Sequence, residues 1–129
     1  MIDEFSVLRY FPPMITTAEI FKSLADDTRL RLLVLLQNGS EYCVCDLMHA
    51  LDTPQSTISR HLAYLKRHGW LQDRRGGTWM YYSLNQELDP FLRAQLVLII
   101  SRLASTEICR ADSQRLHIYL KSKDQSTCG

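Results

Sequence analysis

The stretch "QSTISRHLAYLKRHGWLQDRRGGTWMYYSL", residues 55–84, decides the fold because the spacing of its apolar side chains changes halfway along. In the first half Ile58, Leu62 and Leu65 lie four and three residues apart, which predicts an amphipathic helix. In the second half two aromatic, β-prone runs flank the glycine pair at 76–77, which suits a two-residue turn. The stretch therefore predicts a helix followed directly by a β-hairpin.

A second helix is predicted just upstream, over residues 42–51, where Val44, Leu47 and Leu51 repeat at helical spacing. The sequence Asp-Thr-Pro at 52–54 interrupts it, so the two helices are joined by a tight turn. Two helices in this arrangement form a helix-turn-helix, and the hairpin that follows makes the unit a winged helix. The fold class is therefore predicted to be mainly α with a small two-stranded wing.

The rest of the chain extends this unit on both sides. A capped amphipathic pattern precedes the helix-turn-helix and a long apolar stripe begins after Pro90, so about five or six helices are expected. The stripe is wide for a chain of 129 residues, and part of it is expected to meet a second copy in a homodimer. The expected single domain has an N-terminal arm (1–15), a winged-helix core (16–85), C-terminal dimerisation helices (86–120) and a flexible tail (121–129).

Charge is distributed unevenly along the chain, although the net charge is only +1. Between residues 55 and 85 five basic residues stand against one acidic residue, and the remainder of the chain is acidic. This basic third of the molecule is therefore predicted to face a polyanion, and double-stranded DNA is the expected partner.

The helix predicted over 55–68 is expected to enter the major groove with its first turns, where polar side chains reach base edges or phosphates. Gln55 can pair with adenine and Arg60 with guanine, while arginines at the hairpin tip can reach the backbone or the neighbouring minor groove. The predicted DNA-binding residues are Gln55, Ser56, Thr57, Ser59, Arg60, His61, Tyr64, Arg67, Arg74 and Arg75.

Composition narrows the class of protein. The longest apolar run, residues 96–100, is far shorter than the roughly 20 residues that cross a bilayer, and no cleavable leader is recognised. We therefore expect a cytoplasmic protein with no membrane partner. The four cysteines, Cys43, Cys45, Cys109 and Cys128, are then expected to be free thiols, metal ligands or redox switches rather than structural disulfides.

Three segments together resemble the ArsR/SmtB family of arsenic- and metal-responsive repressors: "FKSLADDTRLRLLVLL" (21–36), "EYCVCDLMHAL" (41–51) and the stretch at 55–84. The resemblance implies a homodimer with winged helices that binds its own operator and dissociates when a toxic metal or metalloid binds. The "CVCDL" segment is similar to the subgroup that senses trivalent arsenic and antimony. That similarity implies Cys43 and Cys45 as metalloid ligands and requires no cofactor.

The two cysteines raise a geometric question, because positions i and i+2 of a regular helix are about 200° apart. On a helix over 42–51, Cys43 and Cys45 could not both turn their sulfurs onto one ion. Ligation is therefore expected to loosen the first turn of that helix. Since the turn at 52–54 joins it to the DNA-reading helix, the change is expected to misplace residues 55–60 and release the operator.

The ligand set departs from the subgroup at one position, because many relatives carry a third cysteine where this chain has Met48. A thioether is a poorer partner for trivalent arsenic than a thiolate. Cys109 is a candidate third ligand from the same or the other subunit, whereas Cys128 would need the tail to fold back. A two-thiolate site suited to a partly capped, methylated arsenical is the alternative. The expected inducer is therefore As(III), Sb(III) or a trivalent organoarsenical.

Other interpretations stay open at this level. The chain could be a Cys-X-Cys dithiol oxidoreductase, although no βαβ frame is predicted and no enzymatic activity is expected. The cysteines could instead form a redox sensor on the same DNA-binding protein, or be inert thiols in a constitutive DNA-binding module. A zinc site at Asp112, Gln114 and His117 has unconvincing spacing, and an exposed His117 is the simpler interpretation.

Overall fold

A computed structural model describes residues 15–123, and within that range the chain forms six helices and one antiparallel three-stranded sheet. The order along the chain is the predicted one, with helix-turn-helix followed by hairpin, so the winged-helix fold is confirmed. The helices are α1 (Thr17–Ser23), α2 (Asp27–Leu36), α3 (Val44–Leu51), α4 (Gln55–Arg67), α5 (Pro90–Leu103) and α6 (Glu107–Ser122); the strands are β1 (Tyr42–Cys43), β2 (Leu71–Gly76) and β3 (Trp79–Leu84).

Polar side chains fix where the helices begin. Thr16 Oγ1 accepts a hydrogen bond from the amide of Glu19 (3.1 Å) at the start of α1, and Asp26 Oδ1 accepts one from Arg29 (3.1 Å) at the start of α2. Each cap satisfies an amide that has no partner within its helix. At the other end of α3, Asp52 adopts a left-handed conformation with φ of 50°. This residue starts the tight turn of the helix-turn-helix.

The apolar stripe of α4 lies at the centre of the molecule. Ile58, Leu62 and Leu65 are completely buried, as their spacing predicted, and they pack with leucines of α2 and α3. Trp70, which follows α4, is also completely buried, and its indole nitrogen donates to Ser23 Oγ at 2.8 Å. Helix α4 is therefore held from beneath by one continuous core, and its outer face is left exposed.

The sheet differs from the predicted two-stranded wing, because a third strand precedes α3. Tyr42 and Cys43 form β1, which pairs with β3 opposite Tyr82 and Tyr81. The prediction of a helix from residue 42 is therefore wrong by two residues, and α3 begins at Val44. The physical reason is that β3 presents a free edge of backbone donors and acceptors, and the two residues before the helix complete it.

The C-terminal part consists of two helices, α5 and α6. Thr106 caps α6 through its side chain, and α6 packs lengthwise against α3 of the same chain. The tail was expected to begin at residue 121, but α6 continues to Ser122 and Lys123 Nζ donates to Asp46 Oδ1 at 2.6 Å. The buried carboxylate of Asp46 provides this anchor.

The predicted N-terminal arm and the predicted tail lie largely outside the residues that the structure describes. Of the N-terminal arm only Ile15 is described, and it is buried in the core. Of the expected tail, residues 124–129 are not described. No helix between residues 15 and 123 is long and apolar enough to cross a membrane.

Candidate functional site

The outer face of α4 carries the predicted DNA-binding side chains. Gln55, Ser56, Arg60 and Arg67 are exposed, while Thr57, Ser59 and Tyr64 are half-buried. The first turn of α4 contains no acidic residue, so nothing in it repels a phosphate. The exposed face of α4 is therefore polar, with neutral and basic side chains. A single helix with such a face fits the major groove of DNA.

His61 does not belong to this face, contrary to the prediction. Its side chain is buried, Arg29 Nη1 donates to its Nδ1 at 3.2 Å, and Asp26 Oδ1 lies 3.9 Å from its Nε2. Burial lowers the pKa of His61, the nearby guanidinium groups of Arg29 and Arg60 lower it further, and Asp26 opposes the shift. His61 therefore joins α4 to the start of α2 and is not placed to touch a base.

Tyr64 orients the basic side chains around it. The guanidinium of Arg29 lies 4.2 Å from the centre of its ring, and that of Arg67 lies at 5.1 Å. The imidazole of His68 stacks on the ring at a centroid distance of 4.4 Å. The cation–π attraction to the ring of Tyr64 holds Arg67 near the exposed end of α4.

The two arginines of the wing are in different situations. Arg74 forms a bidentate ion pair with Glu41, with distances of 2.8 and 2.9 Å, and its guanidinium lies 4.9 Å from the ring centre of Tyr81. The hydrogen bond from Arg74 lowers the pKa of Glu41. Arg75 is exposed at the hairpin tip. Arg75 is thus presented to a partner, whereas Arg74 must first leave its carboxylate.

The two cysteines lie on different elements. Cys43 ends β1, is 3% exposed, and donates its amide hydrogen to Asp46 Oδ2 at 2.9 Å. The sequence predicted a free thiol, a metal ligand or a redox switch at this position rather than a structural disulfide, and in the structure the sulfur of Cys43 is disulfide-bonded. Cys45 is a free thiol in the first turn of α3, with its sulfur 3.1 Å from Tyr119 Oη. The expectation that both cysteines sit on one regular helix is therefore wrong.

Helix α6 holds α3 along its length through contacts that no local sequence pattern indicated. Tyr119 stacks on His49 at a centroid distance of 4.0 Å in addition to its contact with Cys45. Arg115 Nε donates to the carbonyl of Ala50 at 2.8 Å. Lys123 Nζ, which is bonded to Asp46, lies 3.8 Å from the sulfur of Cys43. Partners so far apart in sequence leave no local pattern, so only the packing reveals them.

Cys109 is not brought to the other two cysteines within one chain. It is buried in the first turn of α6, and Tyr119, which touches Cys45, lies ten residues further along the same helix. At 1.5 Å per residue that separation is about 15 Å. Asp112 accepts hydrogen bonds from Arg31 at 2.7 and 2.8 Å. Within residues 15–123 no group of three or more His, Cys, Asp or Glu side chains is arranged to hold a metal ion.

A cavity that is open to solvent lies between the cysteine pair, the start of α4 and the β2–β3 hairpin. Its volume is about 420 Å³, and its walls come from the end of β1, the first turns of α3, the start of α4 and the beginning of β3. The lining residues are Cys43, Val44, Cys45, Met48, Gln55, Thr78, Trp79 and Met80. A molecule large enough to fill the cavity would therefore touch the cysteine pair, the first residue of α4 and the start of β3.

The sequence of this chain matches a known protein family and several known proteins. The model of the bacterial regulatory protein, arsR family, matches residues 26–72. The arsenic resistance transcriptional regulator ArsR2 of Pseudomonas putida is 51% identical over 83 residues, which cover 64% of this chain and 72% of that protein. The arsenical resistance operon repressor of Escherichia coli K12 is 38% identical over 110 residues, covering 85% of this chain and 86% of that protein. The chain belongs to the ArsR family.

A solved structure of another possible ArsR-family regulator agrees with the fold. The homodimeric winged helix-turn-helix domain of Mb0332 from Mycobacterium bovis superposes with a TM-score of 0.59 at 28% identity, covering 80% of this chain and 90% of that one. This ArsR-family chain is therefore a DNA-binding transcriptional regulator, and α4 and the β2–β3 hairpin are its recognition helix and wing. The matched relatives are regulators, which lends no support to a dithiol oxidoreductase.

Proposed function

We propose that this ArsR-family chain is a cytoplasmic repressor that binds operator DNA as a homodimer and leaves it when a trivalent arsenical or antimonial binds Cys43 and Cys45. The observation that carries the proposal is the shared cavity, whose walls contain both cysteines together with Gln55 and the wing strand. The names of the relatives from P. putida and E. coli support arsenic resistance as the regulated process.

DNA binding is assigned to the exposed face of α4 and to the hairpin tip. Gln55 and Arg60 are the candidates for base edges, because amide and guanidinium groups make paired hydrogen bonds to adenine and guanine. Ser56, Arg67 and Arg75 are the candidates for phosphates. The two recognition helices of a homodimer would read two half-sites about one helical turn apart, which requires a two-fold symmetric operator.

The cysteines supply soft thiolates, which suit the soft centres As(III) and Sb(III). Because the sulfur of Cys43 is in a disulfide bond in the structure, it must first be reduced by an external thiol, which is oxidised to its own disulfide and leaves Cys43 as a thiol. With arsenite, two As–O bonds are then replaced by two As–S bonds, and the two thiol protons leave with the hydroxides as water. Arsenic stays trivalent and retains one hydroxyl, since Met48 offers no third thiolate.

Release of DNA follows from the position of the pair at the junction of β1 and α3. Drawing both sulfurs onto one atom requires Cys45 to leave Tyr119 and disturbs the amide bond from Cys43 to Asp46 that caps α3. β1 is paired with the wing strand, and α3 is joined to α4 by a tight turn. The strain therefore reaches both DNA-reading elements, and a coupling of about 1–3 kcal/mol would weaken operator binding roughly 5- to 150-fold.

The proposal is tested by fluorescence anisotropy of labelled operator DNA during titration with arsenite and antimonite, in a phosphine reductant that keeps the thiols reduced. The wild-type complex should dissociate, whereas Cys43→Ser and Cys45→Ser should bind DNA normally and stay bound. Cys109→Ser is the matched control and should respond like the wild type if the two-thiolate assignment is right. Normal release by both Cys43 and Cys45 variants would refute the assignment.

A second candidate function, a thiol-redox-sensing repressor, is favoured by the disulfide bond of Cys43. In that case oxidation itself would change the start of α3 and the operator affinity. Peroxide treatment in the absence of arsenicals distinguishes the two, because only the redox sensor should release DNA on oxidation and rebind it on reduction.

A further inference from the structure

The cavity beside the cysteine pair is larger than an inorganic arsenic centre needs. Its volume is about 420 Å³, whereas one water molecule takes up about 30 Å³ of the liquid. An arsenic atom bonded to two sulfurs and one hydroxyl would leave most of this space unfilled. The volume falls instead in the range of small-molecule sites, about 300–1,000 Å³.

The walls of the cavity have the chemistry of an apolar ligand site. Met48, Trp79 and Met80 are half-buried, and among the described lining residues none carries a formal charge on a carboxylate, guanidinium or ammonium group. Methionine and tryptophan side chains adapt to flat or irregular apolar groups. Gln55 and Thr78, which are exposed, provide the polar residues of the lining.

We propose that the preferred ligand is a monosubstituted trivalent arsenical, with arsenic on Cys43 and Cys45 and its organic group against Met48, Trp79 and Met80. This inference rests on the proposed function and adds the class of ligand. The compound R–As(OH)₂ exchanges its two As–O bonds for two As–S bonds, and two water molecules leave. The As–C bond is kept and arsenic remains trivalent, so once Cys43 has been reduced the exchange consumes no further reductant.

The preference follows from what occupies the third valence of arsenic. With arsenite that position holds a hydroxyl, which gains nothing from the thioether and indole groups that it would face. With an organic group the same position removes apolar surface from water on both the ligand and the protein. The methionine at position 48, which deprives arsenite of a third thiolate, thus becomes part of the wall that receives the substituent.

The test compares phenylarsine oxide with arsenite by calorimetric titration of the reduced full-length protein without DNA. A small free dithiol, titrated identically, gives the intrinsic preference of two thiolates for one arsenical over the other. The protein should prefer the phenyl compound at least about tenfold more than the free dithiol does, which corresponds to about 1.4 kcal/mol. A preference equal to that of the free dithiol overturns the inference.

Variants locate the effect in the cavity. Met48→Ala and, separately, Met80→Ala should reduce the excess preference for the phenyl compound several-fold, because they weaken binding of the phenyl compound more than binding of arsenite. Gln86→Ala, which truncates an exposed residue outside the cavity lining, is the control and should change neither. An unchanged preference in both methionine variants would contradict the proposed position of the substituent.

The same titrations separate this inference from the proposed function. If arsenite and the phenyl compound bind Cys43→Ser and Cys45→Ser as tightly as the wild type, the proposed function fails and the inference fails with it. If both compounds require these cysteines but the protein shows no excess preference, the function stands and only the ligand class is wrong.

Discussion

The sequence prediction placed His61 among the DNA-binding residues because its side chain is polar, and it did not consider the position of the residue on the helix. His61 lies three residues after Ile58 and four before Leu65, so its position is on the buried stripe of α4, and the structure buries it. The spacing that correctly predicted the leucines as core residues contained the same information about the histidine. What could not be predicted is its partner, because Arg29 comes from a helix 32 residues away in sequence.

The lowered pKa of His61 predicts a pH dependence of stability. The unfolded chain takes up a proton near the ordinary histidine pKa of about 6.5, while the folded chain resists it, so the free energy of unfolding should fall as the pH drops below about 6.5. His61→Gln should flatten this dependence between pH 7 and pH 5, as measured by urea denaturation. His117→Gln, at an exposed site, should leave the slope unchanged, and an equal flattening by both would contradict the account.

Glu41 predicts a second effect at the residue scale, on DNA binding. Its carboxylate holds Arg74 in a bidentate pair, so Glu41→Gln should free the guanidinium for a phosphate. Operator affinity should rise a few-fold, and the slope of log affinity against log salt should become steeper by about one unit. Glu87→Gln, another exposed site, is the control. An unchanged slope for Glu41→Gln would show that Arg74 does not meet DNA.

At the scale of elements, the helices and the hairpin were predictable and the short strand was not. The helices carry periodic apolar residues over two or more turns, whereas β1 has only two residues and exists because β3 offers it an edge. The same limit applies to the site. Cys43 and Cys45 were recognised from a motif, but the cavity and the contacts from α6 depend on packing between distant segments.

The packing of α6 on the rest of the chain predicts a large effect of one substitution. Asp112 is 1% exposed and pairs with Arg31 of α2 and Arg115 of α6, each at 2.7 Å, while Arg115 also bonds the carbonyl of Ala50 in α3. Asp112→Asn leaves these guanidinium groups without their carboxylate, so the free energy of unfolding should fall by about 3 kcal/mol.

Denaturant unfolding of matched variants checks this value. Asp52→Asn is the control, because it makes the same chemical change at an exposed left-handed position that asparagine tolerates. A loss of less than about 1 kcal/mol for Asp112→Asn would mean that the ion pairs do not hold α6 in place.

At the scale of the whole molecule, large apolar side chains remain exposed on the two C-terminal helices. Val97 and Leu98 of α5 are 62% and 64% exposed, and Ile108 and Ile118 of α6 are 52% and 58% exposed. A single chain gains nothing from this exposure, and the homodimer proposed above would cover it. Leu98→Lys should therefore shift the protein towards monomer and weaken operator binding at least tenfold, because each operator is read by two copies.

Light scattering at micromolar concentration, followed by anisotropy with operator DNA, checks this prediction. Gln86→Lys adds the same charge at an exposed site before α5 and should remain dimeric. If Leu98→Lys keeps both the wild-type mass and the wild-type operator affinity, the dimer is not built on this face of α5.

In the proposed mechanism, one arsenic atom bonded to Cys43 and Cys45 distorts the start of α3 and thereby moves the recognition helix and the wing. A crystal structure of the reduced protein loaded with phenylarsine oxide, with arsenic located by anomalous scattering, tests it most directly. The predicted result is an arsenic peak within bonding distance of both sulfurs, with Cys45 parted from Tyr119 and the first turn of α3 opened. An arsenic peak elsewhere, with Cys45 still against Tyr119 and α3 unchanged, would contradict the account.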